Sequence, residues 1–390
     1  MADNLQENKH TRTIIRGYKT ELDLNAQQRK ACLRHAGTAR FAYNWGLARK
    51  QEAYAKGEKL PTAIDLHKEL NSLKQGEFAW MYAVSKCAPQ EALRDLDAAF
   101  KRFFERVKAR KAGKKIKAGY PHFKSRKAGV GKFRLTGTIR VYEDAIQLPR
   151  LGVLRLKEHC YLPVEGTEGV HILSATVSQA AGRWYVSIQV KEKIKKPKKK
   201  KQKHPKAGVD LGLLRLATVS DGTGYDNPRA LKNALKQIKR LQRAVSRKQK
   251  GSANQKKAIR KLGKAHARVA NIRKNALHQV TSRLTKTKSA VMLEDLNVSG
   301  MLKNPHLAQA IADVGWGEFK RQMAYKGIWY GCEVRFADRY YPSTKRCSGC
   351  GREQEITLSE REYACENAAC RLVLDRDLNA ARNLVQLFDH

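Results

Sequence analysis

The sequence predicts a multi-domain α/β plus β chain. A small β-barrel or sandwich carries an inserted helical segment, and a strand–helix domain carrying a four-cysteine ribbon follows it. Three observations predict this. Short alternating strands with Gly, Pro and Asp turns fill 119–193, and their natural completion is an N-terminal strand on the far side of a helical stretch. Apolar strands at 206–226 and 289–296 flank a long basic helical pair. Cys347-Ser-Gly-Cys350 and Cys365-x4-Cys370 sit just before a C-terminal amphipathic helix.

"TIIRGYKTELDL" (13–24) is β-branched and alternating, hence a strand. A long helix follows over 25–57, with Asn25 suited to its N-cap and Gly57 to its end. Further helices are expected at 61–74 and 89–111. The second has an apolar stripe of Phe100, Phe103, Phe104 and Val107, read as core packing, against a basic face. After the β segment, "KIKKPKKKKQKHPK" (193–206) is a Pro- and Lys-rich linker. Two strands joined by a tight turn at Leu211–Leu214 are expected over 206–226. The basic helical pair runs over 230–285 with a break near Gly251-Ser252. Its apolar positions are Ile259, Leu262, Val269, Ile272, Ala276, Val280 and Leu284. "SAVMLEDL" (289–296) is a buried-type strand, 306–331 is helical, and 332–347 is a strand leading into the cysteines.

Charge restricts the partner. The 390 residues include 79 Lys and Arg against 36 Asp and Glu, a formal +43. With 42% hydrophobic residues the chain has enough apolar content for a core, so the charge belongs to a folded protein that needs a polyanion. No apolar run reaches transmembrane length and no secretory h-region follows "MADNLQENKH", which disfavours a membrane partner and export. Cys32, Cys87, Cys160 and Cys332 are scattered and read as buried small hydrophobes. The four clustered cysteines, Cys347, Cys350, Cys365 and Cys370, have the paired spacing of a tetrahedral zinc ribbon. Four protein thiolates leave no open position for water, so this Zn²⁺ is structural. His204, His266 and His278 read as surface residues of the linker and basic helices.

Acids at element ends carry the chemistry. Asp210 ends the strand of "AGVDLGL", Glu294 ends "SAVMLE", and Asp377 precedes "LNAARNLVQLF". Alone, each has a bland reading: a turn former at 210, an N-cap at 377. Together, in a strongly basic chain, three such carboxylates make a place for Mg²⁺ or Mn²⁺. Paired divalent ions hydrolyse phosphodiesters. Asp295 should point to the opposite face from Glu294.

"GVDLG", "LEDL" and "DRDLNAARN", with "YYPSTKRCSGCG" before the third, resemble the TnpB family of transposon-encoded RNA-guided nucleases, relatives of the type V CRISPR effectors. "GYKTELDLNAQQRKACLRHAGTARFAYNWGL" is similar to that family's opening strand and helix. The resemblance implies an RNase H-like (RuvC) nuclease domain with an inserted zinc ribbon, preceded by a β-barrel domain with an inserted helical lobe. It places the catalytic and Mg²⁺-binding acids at Asp210, Glu294 and Asp377, with Asp375 as runner-up for the third. It divides the chain into a wedge-like barrel (1–24 and 118–194), a helical recognition lobe (25–117), a basic linker (195–206), the nuclease domain (207–344 and 371–390) and the ribbon (345–370). Its implied partners are a guide RNA derived from the transposon end and target double-stranded DNA beside a short adjacent motif, for a monomeric cytoplasmic protein. Lys236, Lys239, Arg240, Arg243, Lys257 and Arg260 would follow the nucleic-acid backbone. Arg40, Tyr43 and Asn44, in "RFAYNWGL", are candidates to read the adjacent motif, with core packing an equally open reading. Two other classes stay in view. One is an RNA-guided binder without cleavage, which would have lost an acid. The other is a strand-transfer transposase, against which the ribbon position and the basic helices argue.

Overall fold

The computed structural model divides the chain into two units, Met1–Ile194 and Lys195–His390. It describes residues 11–126, 129–164, 167, 169–195, 205–357 and 359–389. Residues 196–204 of the basic linker, His204 among them, lie outside the described residues.

The first unit opens with β1 (Thr11–Asp23), followed by α1 (Ala26–Ala55), α2 (Ala63–Leu73), a 3-10 turn at Ala79–Ala83 and α3 (Cys87–Lys111). Asn25 caps α1 in a capping box: its side chain accepts from Gln28 N at 2.8 Å, and Gln28 Oε1 accepts from Asn25 N at 3.0 Å. Six strands follow: β2 (Lys132–Leu135), β3 (Arg140–Val141), β4 (Ala145–Leu148), β5 (Gly152–Leu156), β6 (Val170–Ala180) and β7 (Arg183–Lys195). The sheet order is β2-β6-β7-β1-β5-β4-β3, so the N-terminal strand lies between β7 and β5. Helices and sheet share one core: Leu47, Leu66, Leu93 and Leu96 belong to the same cluster as Phe133, Leu135 and Val186. The phenylalanine stripe of α3 is only partly core. Phe100 is buried, but Phe104 is 44% exposed. Tyr120 packs edge-on against Phe100 and Phe103, with ring centroids 5.6 and 5.3 Å away, as the chain returns. Cys32 and Cys87 are buried as expected, whereas Cys160 is exposed, in a turn with φ +52°.

The second unit begins with β8 (Ala207–Asp210), β9 (Arg215–Val219) and β10 (Gly224–Asp226). The sequence expectation of two strands here misses β10, whose hairpin turns at Asp221-Gly222, with Gly222 at φ +88°. The basic pair is α4 (Ala230–Ser246) and α5 (Ala253–Thr287), and Ser252 caps α5 by accepting from Gln255 N at 3.1 Å. Val269, Val280 and Leu284 are buried as the periodicity implied, but Ile259 and Ile272 are 50% and 41% exposed. Next come β11 (Ala290–Leu293), α6 (Val298–Met301), α7 (Ala308–Val314), α8 (Trp316–Tyr330) and β12 (Glu333–Phe336). The helix expected over 306–331 is broken at Gly315, which is left-handed at φ +77°. The strand expected over 332–347 stops at Phe336, because the chain then folds into turns: Tyr341 N donates to Asp338 O and Arg346 N to Pro342 O. A two-stranded ribbon, β13 (Glu362–Ala364) with β14 (Val373–Asp375), leads to α9 (Arg376–Gln386).

The five-stranded sheet has the order β10-β9-β8-β11-β12. β10, β9 and β8 are antiparallel neighbours, while β8, β11 and β12 run parallel. No helix among the described residues is long and apolar enough to cross a membrane.

Helix α9 lies directly on β8, and Gly208 makes this possible. A Cβ there would stand 2.0 Å from the Ala381 carbonyl oxygen and 2.6 Å from Val385 N. Those are backbone atoms of a helix and cannot swing aside, so Gly208→Ala should destabilise the second unit by about 3 kcal/mol or more. Gly37, inside α1 with no atom within 4 Å of such a Cβ, is the control. Gly37→Ala should be neutral or stabilise by up to about 1 kcal/mol. Denaturant titration of both variants checks the contrast, and equal stability would mean that α9 can lift off β8 freely.

Candidate active site and metal centre

Asp210 is the last residue of β8, and Glu294 follows the last residue of β11. The two strands are parallel neighbours with Val209 opposite Leu293, so both acids leave the sheet at the same level. Asp377 arrives from α9. Because that helix meets β8 at Gly208 through Ala381, Asp377, one turn earlier, comes up beside the loop after β8. A Cβ on Gly212 would lie 3.8 Å from Asp377 Oδ2.

The three carboxylates feel one another. Burial pushes the Asp210 carboxyl well above its ordinary range, the charges of Glu294 and Asp377 push it further, and the Arg376 guanidinium opposes them. Burial also raises Glu294, against a hydrogen bond from Ser343 and the charge of Lys320. Converging, partly buried carboxylates with such mutual repulsion fit Mg²⁺ or Mn²⁺, whose hard charge suits oxygen donors and removes the repulsion. Asp295 belongs elsewhere. It pairs with Lys320 at 2.9 Å and Arg339 at 2.6 Å, and these hydrogen bonds hold its carboxyl below the usual range. Asp375 is exposed and is the N-cap of α9, accepting from Leu378 N at 3.0 Å. The capping role that the sequence left open for Asp377 therefore falls to Asp375.

Three site residues had no assigned role in the sequence. Ser343 donates its hydroxyl to Glu294 Oε1 at 2.5 Å. Asn379 and Asn383 are fully buried on α9. Asn379 Nδ2 donates to Arg346 O at 2.7 Å and its Oδ1 accepts from Ser348 N at 2.9 Å. Asn383 Nδ2 donates to Ser343 O at 2.8 Å and also to Arg346 O. The available signal was two amides at i and i+4 on the apolar side of the helix, where an unpaired amide would be unfavourable.

The ribbon cysteines come together. All four sulfurs lie within 4.8 Å of one another, with Cys347 Sγ 3.7 Å from Cys370 Sγ and Cys350 Sγ 3.6 Å from Cys365 Sγ. Zn–S bonds of about 2.3 Å in a tetrahedron set sulfurs ~3.8 Å apart, so the cluster fits Zn²⁺. A backbone hydrogen bond at Arg352 holds the Cys350 thiol down to about 6, whereas burial and the neighbouring thiols push Cys365 up to about 12 and raise Cys370. The four-residue spacer of "CENAAC" is taken up by Asn367, whose carbonyl accepts from Cys370 N and Arg371 N and whose side chain accepts from Ala369 N.

The candidate nucleic-acid residues divide. Tyr43 is buried, with Lys124 Nζ 3.4 Å from its ring centroid. The Asn44 carboxamide pairs with the Lys124 backbone, donating to O at 3.0 Å and accepting from N at 2.8 Å. Both are therefore engaged in holding the segment at 124, the packing role that the sequence left open for them. Arg40 is half-buried on a cavity of about 360 Å³, with Glu91, Asp95 and Arg134. Lys236, Lys239, Arg240, Arg243, Lys257 and Arg260 are all exposed.

The fold of the chain has a solved counterpart. A chain of the "Cryo-EM structure of the Cas12f1-sgRNA-target DNA complex" matches with a TM-score of 0.55 at 14% identity, over 96% of this chain and 99% of that one. The fold is thus Cas12f1-like. Family matches agree: "Probable transposase" of the IS605 OrfB type over 185–305, "Cas12f1-like, TNB domain" over 316–384, and "Helix-turn-helix domain" over 14–59. The last region is β1 and one continuous helix here. Proteins named "Putative RNA-guided DNA endonuclease" from Streptomyces pristinaespiralis and Escherichia coli K12 are each 33% identical over 95% of this chain, and over 89% and 92% of their own lengths. A mimivirus "TnpB-like protein" is 30% identical over 46% of this chain and 36% of its own. The chain belongs to the TnpB family of transposon-encoded proteins.

Replacing Cys347 with Ser should lower zinc from one ion per chain to well below one and loosen the ribbon, since metal binding and local folding are linked. Elemental analysis of the purified protein checks it. Full zinc in Cys347→Ser would mean that the cluster does not bind as four thiolates.

Proposed function

We propose that this chain is an RNA-guided DNA endonuclease that cleaves double-stranded DNA beside a short adjacent motif. One observation carries the reading: Asp210, Glu294 and Asp377, from three distant parts of the sequence, converge at one sheet edge in a chain of net charge +43. The sheet order, with three antiparallel strands continued by two parallel ones, supports an RNase H-like (RuvC) domain. The names of the full-length relatives and of the structural counterpart support the guided reaction. The seven-stranded sheet would be the wedge-like barrel and α1–α3 the recognition lobe.

Divalent cations held by the three carboxylates would supply activation of water and stabilisation of the leaving oxygen of the phosphodiester. The chain's own part is to hold those carboxylates at fixed positions on rigid elements and to keep Asp295 bound to Lys320 and Arg339, away from them. The ribbon zinc takes no part in the chemistry, because its four ligands are protein thiolates. Sequence specificity resides in base pairing with a guide RNA, and the exposed cations of α4 and α5 follow phosphate. The protein acts as a monomer in the cytoplasm. A binder without cleavage would not need an intact acid set. The "Probable transposase" description keeps strand transfer as a second reading, distinguished by joined instead of cut products.

Asp210→Ala, Glu294→Ala and Asp377→Ala should each lower plasmid cleavage by the guide-loaded protein by on the order of 10³-fold or more, with guided DNA binding nearly unchanged. Asp375→Ala removes a cap of about 1 kcal/mol and should keep most cutting. Cleavage and gel-shift assays on the same preparations decide it, and a cutting Asp377→Ala beside a dead Asp375→Ala would exchange the two roles.

Changing Lys236, Lys239, Arg240, Arg243, Lys257 and Arg260 together to Gln should flatten the salt dependence of guide affinity, by roughly 0.7–0.9 in slope per lost phosphate contact. The change should be the same for two unrelated guide sequences on one scaffold. Unchanged slopes would make this helical pair a solvated surface.

A further inference from the structure

Glu294 stands just beyond β11 with one oxygen already engaged. Ser343, 3% exposed, donates its hydroxyl to Oε1. The backbone of the serine is itself fixed at both its amide and its carbonyl. Its amide donates to Tyr341 O at 2.8 Å, its carbonyl accepts from Asn383 Nδ2 at 2.8 Å, and the same Asn383 amide reaches the carbonyl of Arg346, the residue before Cys347. Asn383 lies on α9, the helix that carries Asp377. One loop thus touches Glu294, the helix of Asp377 and the first zinc ligand. The neighbouring Asp295 is held differently, by ion pairs with Lys320 and Arg339.

From this geometry we infer that Ser343 is the positioning residue for Glu294. Its hydroxyl occupies Oε1, fixes the side-chain rotamer, and leaves Oε2 as the oxygen presented to a divalent cation. The inference rests on the metal-site reading of the three acids. It assigns a dedicated function to the Pro-Ser-Thr turn before the ribbon: Ser343 sets cation affinity, without touching guide or target.

The test uses the full chain loaded with its guide RNA and has a readout that needs no turnover. Mn²⁺ binding is measured by calorimetry without target DNA, alongside the Mg²⁺ concentration giving half-maximal cleavage and the zinc content. Ser343→Ala should weaken Mn²⁺ binding about tenfold to a hundredfold, the range expected for losing a hydrogen bond to a charged group. The half-maximal Mg²⁺ concentration should rise in parallel, with one zinc per chain and unchanged guided DNA binding. Ser343→Thr and Ser343→Val form an isosteric pair that controls for volume at this buried position. Threonine should stay within about threefold of wild type and valine should behave as alanine. Equal Mn²⁺ affinity for the Thr and Val variants, or an Ala variant that binds as wild type does, overturns the inference. So does zinc lost in step with Mn²⁺ affinity, which would make Ser343 part of ribbon folding. Wild-type protein that binds no Mn²⁺ overturns the metal-site reading itself, a result distinct from the others.

Discussion

The contact between Gly208 and the backbone of α9 organises the second unit. β8 is the central strand of the five-stranded sheet, and α9 is the last helix of the chain. With hydrogen standing where a Cβ would meet Ala381 O, the helix axis approaches the strand closely enough for Asp377 to reach the level of Asp210. The parallel pairing of β8 with β11 then brings Glu294 to that level. Three acids separated by 84 and 83 positions in sequence meet because one side chain is missing. Close approach also explains why the helix is rich in Ala at 380 and 381, both buried, before larger residues resume at Leu384.

This assembly runs against electrostatics unless something compensates. Burial raises the proton affinity of Asp210 and Glu294, and the neighbouring carboxylates add to it. Arg376, 3.4 Å from Asp377 and in range of Asp210, and Lys320, near Glu294, offset part of the repulsion. They leave a residual demand for positive charge, which a divalent cation would meet in the proposed function. A chain otherwise dominated by Lys and Arg has to keep those side chains from occupying the site. Near Glu294 the structure does this by pairing Lys320 and Arg339 with Asp295, while Arg376 stays with Asp377. The adjacent acid, facing away, acts as a sink for cations that would otherwise pair with Glu294.

The acids and cysteines were legible because each borders an apolar run or sits in a ligand spacing, and both features are local. Gly208 was in plain view within "AGVDLGL", yet nothing local says that a helix from the far end of the chain lies on it. β10 was missed because three residues, Gly224 to Asp226, have no room to show a period of two. Gly315 interrupts a pattern that apolar periodicity read as continuous, since a left-handed residue can separate two helices without an apolar gap. Tyr43 and Asn44 suited a base-reading face and a packed one equally, and the contact with the returning chain at Lys124 lies 80 residues away in sequence. For Gly208, and for Tyr43 and Asn44, the partner lies far away in sequence and outside any local window.

The ribbon now has a structural role beyond its own folding. Arg346 O accepts from both Asn379 and Asn383, and its chain neighbour is Cys347. A carbonyl that receives two buried amides cannot shift without breaking both bonds, so fixing Cys347 fixes α9 in its register along the loop. Ser348 N and O, bound by Asn379 and Gln386, add a second attachment on the other side of the cysteine. The four thiolates therefore constrain the C-terminal helix at the same turns by which it presents Asp377 to the sheet. Cysteines and acids form different sites, but α9 carries the geometry of both. This gives a physical reason for the ribbon to be inserted immediately before that helix and not elsewhere in the chain.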